Sequence, residues 1–263
     1  MLTTIQLKNL TFNYNQKTSV FDNHNLLLEV EQTQPHKLYG IIGPSGTGKT
    51  TLISILGGQL NPEGEVLVND VNIYQVNDLK RRELLAMQLQ TATSLRGKLK
   101  YNLLFGLPVS EDSMQQIYSD EDLVEVLRRV GLWILFEPKD GLDTLIGEGG
   151  LNLSGGQRQR LNFASLYLRA KYFAPKLILI DEPTSSLDEI SEQAITQMID
   201  ELAEKAITFV VAHRLKTLDS AVGLLDSSLI LENTEMKFVS KQELQKVSTY
   251  YQDLIARRKV LED

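Results

Sequence analysis

Eight consecutive residues constrain this chain more than any others: Gly43-Pro44-Ser45-Gly46-Thr47-Gly48-Lys49-Thr50. The mostly apolar run over residues 37–42 precedes them and reads as a buried strand. Leu52, Ile53, Ile55 and Leu56 follow, spaced as the buried face of a helix that stops at Gly57-Gly58. Strand, glycine loop and helix are the context that the phosphate-binding motif GxxxxGK[ST] requires. The glycines let the backbone curl so that several N–H groups point inward at phosphate oxygens. The helix start adds free N–H groups and the positive end of its dipole. Lys49 is placed to reach β- and γ-phosphates as a point charge, and the Thr50 hydroxyl to ligate Mg²⁺.

The 263 residues are 42% hydrophobic and 23% charged, which suits a globular chain with a substantial core. One large α/β domain, or a domain with a helical lobe, fits the length. A net charge of −7 argues against a broad nucleic-acid footprint, although Arg158 and Arg160 form a local basic cluster. With no cysteine there is no disulfide framework or thiol chemistry, and a cytosolic location is permitted. The opening MLTTIQLKNL has neither the basic nor the apolar region of a signal peptide. The longest apolar runs, such as residues 177–180, fall far short of the roughly 18–20 residues needed to cross a bilayer. Action at a membrane is therefore expected to go through another chain.

Leu2, Ile5, Leu7 and Leu10, then Phe12 and Tyr14, predict an edge strand over residues 2–14. A second strand is expected over 26–30. Gly64 opens Glu65-Val66-Leu67-Val68, and Asn69-Asp70 is turn chemistry before Val71 and Ile73. These predict a small antiparallel β-layer beside the loop strand. Residues 84–90 predict a further strand, and 91–98 a polar loop. Leu123, Val126, Leu127 and Val130 recur at helical spacing, and a polar, glycine-rich stretch covers 140–150. Ser154 and Gln157 form a capping box that starts a helix running to about residue 170. Residues 177–180 predict a buried strand, 191–205 an amphipathic helix, and 207–212 a strand ending at His213. That alternation implies a parallel sheet. Strands over 224–226, 229–232 and 237–239 follow, and Ser240 with Glu243 caps the last helix.

The strand over 177–180 delivers Asp181 and Glu182 at its C-terminal end, where ligands sit in a parallel sheet. Asp181 is placed to hold Mg²⁺ through water, and Glu182 to polarise an attacking water as general base.

Here the chain resembles the ATP-binding-cassette (ABC) family of ATPases, most of all its exporter-type nucleotide-binding domains. Leu153-Ser154-Gly155-Gly156-Gln157 is similar to the family signature LSGGQ. Its hydroxyl and bare N–H groups at a helix N-terminus make a second anion site. The resemblance implies an ATP-dependent head-to-tail homodimer or heterodimer. The loop of one subunit and the signature of the other then enclose each ATP, with Asp188 in Ser186-Leu187-Asp188 reaching across. It implies that Tyr14 stacks on adenine and that ATP binds at Gly43, Pro44, Ser45, Gly46, Thr47, Gly48, Lys49, Thr50 and Thr51. Mg²⁺ is implied at Thr50, Gln90 and Asp181. Glu182, His213, Gln90 and Lys49 are implied to be catalytic, with His213 on the γ-phosphate. Gln88 emerges on the same strand face as Gln90, and the family spacing to Asn102 favours Gln90.

The resemblance covers about residues 2–250 and implies a P-loop NTPase core with a parallel sheet, an antiparallel β-subdomain and an inserted α-helical subdomain. Core and β-layer are expected from 1–90 and 166–239, the helical subdomain from about 91–165, and a C-terminal helix over 240–260. Residues 140–150 resemble an exporter segment that touches the coupling helices of a membrane domain. Pro183 stands where exporters usually carry Ala, Gln32-Thr33-Gln34-Pro35-His36 replaces a Pro-Gly-Glu turn, and Asp226-Ser227-Ser228 replaces a glycine hairpin. The implied function is ATP hydrolysis that energises transport through an integral membrane partner, with the chain peripheral on the cytoplasmic face and no nucleic acid bound. The alternative is a soluble ATP-switched protein without a membrane domain. Translation members carry two cassettes in one chain. DNA-maintenance members insert long coiled coils where this chain has only about a hundred residues and no sustained heptads. A small-molecule P-loop kinase leaves LSGGQ, the histidine and the β-layer unexplained.

Overall fold

Alternation at period two builds the first layer. The computed structural model describes residues 1–15, 18–90, 95–108, 117–147, 150–185, 187–230 and 234–262. Strands β1 (Leu2–Asn15) and β2 (Thr18–Glu31) pair antiparallel along their length. Ile5, Leu7 and Leu10 point into the core from β1, and Leu26 and Val30 from β2. Strand β2 starts well before the expected residue 26. Then come β3 (Leu38–Ile42), the glycine loop, α1 (Lys49–Leu56), β4 (Glu63–Val68) and β5 (Val71–Asn72). Helix α2 (Asp78–Leu84) was not foreseen, because its only strong signal is the cap: Asn77 Oδ1 accepts from Lys80 N at 2.9 Å.

Strand β6 (Leu85–Gln88) follows and stops two residues before Gln90. The short β7 (Gly97–Lys98) pairs with β8 (Leu145–Ile146), and between them the described residues include α3 (Leu99–Leu104), α4 (Asp120–Arg129) and α5 (Trp133–Phe136). Helix α6 (Gly155–Phe173) leads to β9 (Leu177–Asp181), α7 (Glu189–Lys205), β10 (Ile207–Val211) and β11 (Gly223–Asp226). The chain closes with α8 (Ser227–Ile230), β12 (Glu235–Met236), α9 (Lys241–Val247) and α10 (Thr249–Glu262).

The parallel sheet runs β11-β3-β10-β9-β6, and the other sheet β12-β2-β1-β4-β5 is antiparallel apart from its β12–β2 edge. Side chains of the parallel strands alternate between two cores. Leu38, Ile42, Ile178, Ile180 and Val210 face the helical side. Tyr39, Ile41, Leu177, Leu179 and Phe209 face α1 and the antiparallel sheet. Burial on both faces explains why these strands read as unbroken apolar runs.

Three expectations near the C-terminus fail. Residues 229 and 230 lie in the helical turn α8, not a strand, because the Asp226 carboxylate caps Ser228 N and curls the chain; residues 231–233 lie outside the described set. The strand expected over 237–239 is instead β12, with Val239 making only an isolated bridge to Leu224. The C-terminal segment is two helices that meet at Ser248, with the Ser240–Glu243 capping box intact.

Candidate active site

The loop between β3 and α1 closes on itself. Lys49 is buried, and its ammonium donates to Gly43 O at 2.8 Å and Pro44 O at 2.6 Å. Burial pulls its pKa down, while the Glu182, Asp181 and Asp226 carboxylates push it up. Thr47 Oγ1 donates back to Pro44 O at 2.8 Å. Gly48 caps α1 at φ 88° with no side chain on the helix N-terminus, so those N–H groups stay open to an anion. Gly43 sits at φ 140°, and a Cβ there would meet Ser227 Oγ at 2.0 Å. Ser227 is buried beneath the loop, bonded to Ile42 O at 3.0 Å and to Thr47 Oγ1. Sequence reasoning missed it; its one signal was the departure from a glycine hairpin.

Asp181 ends β9 wholly buried, and neither of its carboxylate oxygens has a hydrogen-bond partner among the described residues. Burial raises its pKa; the Thr50 side chain beside it and the Lys49 charge act the other way, and Glu182 adds to the rise. Two unpartnered oxygens next to a hydroxyl are a donor set that suits a hard cation. Thr50, Asp181 and Gln90 could hold Mg²⁺ there.

Glu182 is the hub. Its backbone sits at φ 49°, strained for a residue with a side chain. Glu182 N donates to Val211 O at 3.0 Å, and Glu182 O accepts from Gln159 Nε2. One carboxylate oxygen, Oε2, accepts from Gln90 Nε2 at 2.7 Å; the other, Oε1, lies 2.7 Å from His213 Nε2. Gln88, the other glutamine in question, is buried, with Nε2 3.4 Å from Gln159 O. Gln159, unassigned from sequence, supports Glu182 from helix α6.

Tyr14 is 59% exposed, packs edge-on against Phe12, and places its hydroxyl 3.1 Å from Thr51 Oγ1 at the start of α1. An exposed ring beside the loop can stack on a planar base. Ser154 N-caps α6 in a reciprocal box: Ser154 Oγ accepts from Gln157 N at 3.2 Å, and Gln157 Oε1 from Ser154 N at 2.8 Å. Leu153 anchors the box in the core, whereas Ser154 and Gly155 are exposed. A Cβ on Gly155 would meet nothing within 4 Å. The fold of this chain therefore does not require glycine there. Asp188 is occupied locally: it N-caps α7, with Oδ1 2.9 Å from Ser191 N and Oδ2 3.0 Å from Ser191 Oγ, and those bonds lower its pKa. Ser186, in the same loop, lies outside the described residues.

Residues 27–185 match the family model of the ABC transporter. The chain belongs to this family. It is 32% identical over 255 residues to an export ATP-binding/permease protein of Rickettsia typhi, a match that covers 95% of this chain and 41% of that protein. It is 35% identical over 216 residues to the glutathione/L-cysteine transport system ATP-binding/permease protein CydC of Escherichia coli, covering 81% and 35%. The structure of a bacterial Atm1-family ABC exporter with ATP bound superposes with a TM-score of 0.77 at 25% identity, covering 97% of this chain and 42% of that one. This ABC chain thus spans well under half the length of these relatives. No helix among its described residues is long and apolar enough to cross a membrane.

Proposed function

We propose that this ABC chain hydrolyses MgATP to ADP and phosphate and thereby drives transport through a membrane partner. One observation carries the reading: Glu182, gripped by Gln90 and His213, stands one residue after a buried, unpartnered aspartate and faces the Lys49 loop. In this reading the open N–H groups of the loop and Lys49 bind the β- and γ-phosphates, and Tyr14 stacks on adenine. Thr50, Asp181 and Gln90 would hold Mg²⁺, which would neutralise charge on the phosphates. Glu182 takes a proton from the attacking water, and Gln90 orients that water. His213 shares its Nε2–H between Glu182 and the γ-phosphate oxygen.

The site is half of a composite. Gly155 and Gly156 offer backbone N–H groups at the start of α6, and a Cβ on Gly155 would meet nothing within 4 Å, which supports a head-to-tail dimer closed by ATP. Asp188 acts in this dimer through the helix cap it forms.

A groove of about 550 Å³ between α2, α3, β6 and α6 supports the membrane partner. Tyr101 and Phe105 stand half-exposed in it beside Arg81, Arg82 and Arg169. Burial, and then the Arg82 charge, pull the Arg169 pKa down, and an acidic partner segment would offset the repulsion from Arg82. The relatives named as permeases support the same assignment. The chain then sits peripherally on the cytoplasmic face, without nucleic acid.

Phosphate release from the purified chain tests the reaction. Release that needs Mg²⁺ and stops with EDTA is expected; a chain that neither binds nor cleaves ATP overturns the proposal.

A further inference from the structure

The C-terminal helix is pinned at its start to the end of β11 and, through Arg258, to the connection between β10 and β11. Ser248, wholly buried, donates through Oγ to Asp226 Oδ2 and accepts from Tyr251 N at 2.9 Å, which fixes where α10 begins. Asp226 ends β11, and its other oxygen takes Ser228 N at 2.8 Å and Ser228 Oγ at 2.7 Å. Ten residues farther along the helix, Arg258 forks onto Asp219, with Nη2 3.0 Å from Oδ2. Lys241 Nζ donates to Asp219 O at 2.6 Å. Asp219 lies six residues after His213. Tyr251 is buried between these anchors, and Leu254 and Ile255 pack on the helical-side core.

This clasp brings Tyr250 to the histidine. The Tyr250 hydroxyl lies 3.5 Å from His213 Nδ1, at the far limit of a hydrogen bond. The ring chemistry sets the direction of donation. Both Glu182 carboxylate oxygens accept, one from the Gln90 amide and the other from His213 Nε2 at 2.7 Å. A carboxylate has no hydrogen to give, so Nε2 carries the ring hydrogen. In a neutral imidazole Nδ1 is then a bare acceptor. A phenol is a donor that this nitrogen can use. Burial raises the Tyr250 pKa, which keeps its proton in place at neutral pH.

We propose that Tyr250 is a positioning residue: its hydroxyl donates to His213 Nδ1 and holds the imidazole with Nε2–H aimed at Glu182 and the γ-phosphate. The C-terminal helix thereby becomes part of the hydrolytic site. The proposal rests on the ATPase reading of His213, and it separates from that reading because the tautomer can be measured without turnover.

The first measurement needs no variant. The chain has three histidines, so ¹⁵N spectra of labelled imidazoles can be assigned with His213→Ala. The parent His213 is expected to be the Nε2–H tautomer with a hydrogen-bonded Nδ1; an Nδ1–H tautomer overturns the proposal. Tyr250→Phe keeps the ring and removes one oxygen. Its Nδ1 resonance should move downfield to the position of an unbonded nitrogen. Its kcat should fall about 3- to 10-fold, the size of one lost hydrogen bond, with KM for ATP unchanged. A fall in kcat with an unmoved resonance assigns Tyr250 to packing and overturns the proposal, as does a moved resonance with parental kcat. A parent chain with no ATPase activity overturns the ATPase reading and leaves the spectroscopic result standing.

Discussion

His213 Nε2 and Glu182 Oε1 lie 2.7 Å apart, though they belong to the ends of different strands. The register explains the meeting. Strands β10 and β9 are parallel neighbours with Val211 opposite Asp181, so the residues just beyond each strand leave the sheet side by side. Glu182 N donates to Val211 O and ties the two exits together.

Glu182→Gln keeps the side chain's shape and removes its basicity. Hydrolysis should fall about 10²- to 10⁴-fold, the usual contribution of a general base, while ATP still binds. Phosphate release and nucleotide titration check this. Near-parental turnover would take Glu182 out of the base role.

Asp181→Asn removes a buried charge whose oxygens have no hydrogen-bond partner among the described residues. The nucleotide-free chain should become more stable, since desolvation of the charged carboxylate is the largest influence on this group. Mg²⁺ should then no longer strengthen ATP binding. Melting curves and titrations with and without EDTA report the two effects, and a destabilised variant with full Mg²⁺ dependence would contradict the assignment.

Gly43→Ala drives a Cβ into Ser227 Oγ at a backbone angle that side chains avoid. The strain alone is worth about 1–3 kcal/mol. Denaturant unfolding should show the loss, with ATP affinity weakened in parallel. Adding Ser227→Gly removes the clash and not the φ penalty, so only part of the stability should return.

Ser154→Arg places a bulky cation where a second subunit would bring its γ-phosphate. ATP should bind the Lys49 loop normally, because Ser154 is exposed and makes no bond to that loop. Dimer closure and turnover should fail. Light scattering with ATP in a Glu182→Gln background reads closure directly. Persistence of the ATP-dependent dimer there would sink the idea of a shared site.

The chain by itself determined what lies within a few residues. The Ser154–Gln157 and Ser240–Glu243 boxes are contacts from i to i+3, and the glycine loop encodes its own curl, so all were legible. The apolar runs of β3, β9 and β10 announced buried parallel strands because both their faces are covered. What joined these pieces was tertiary. Gln90 reaches Glu182 across 92 residues only because the sheet order sets β6 beside β9. Ser227 reaches Ile42 O across 185 residues because β11 pairs with β3. The short apolar run after Asp226 reads as a strand, yet the Asp226 cap bends it into α8. The same carboxylate holds Ser248, which breaks the expected last helix and turns Tyr250 toward His213. Strand order and side-chain caps between distant segments leave no periodic trace in a sequence, so only the folded chain decides them.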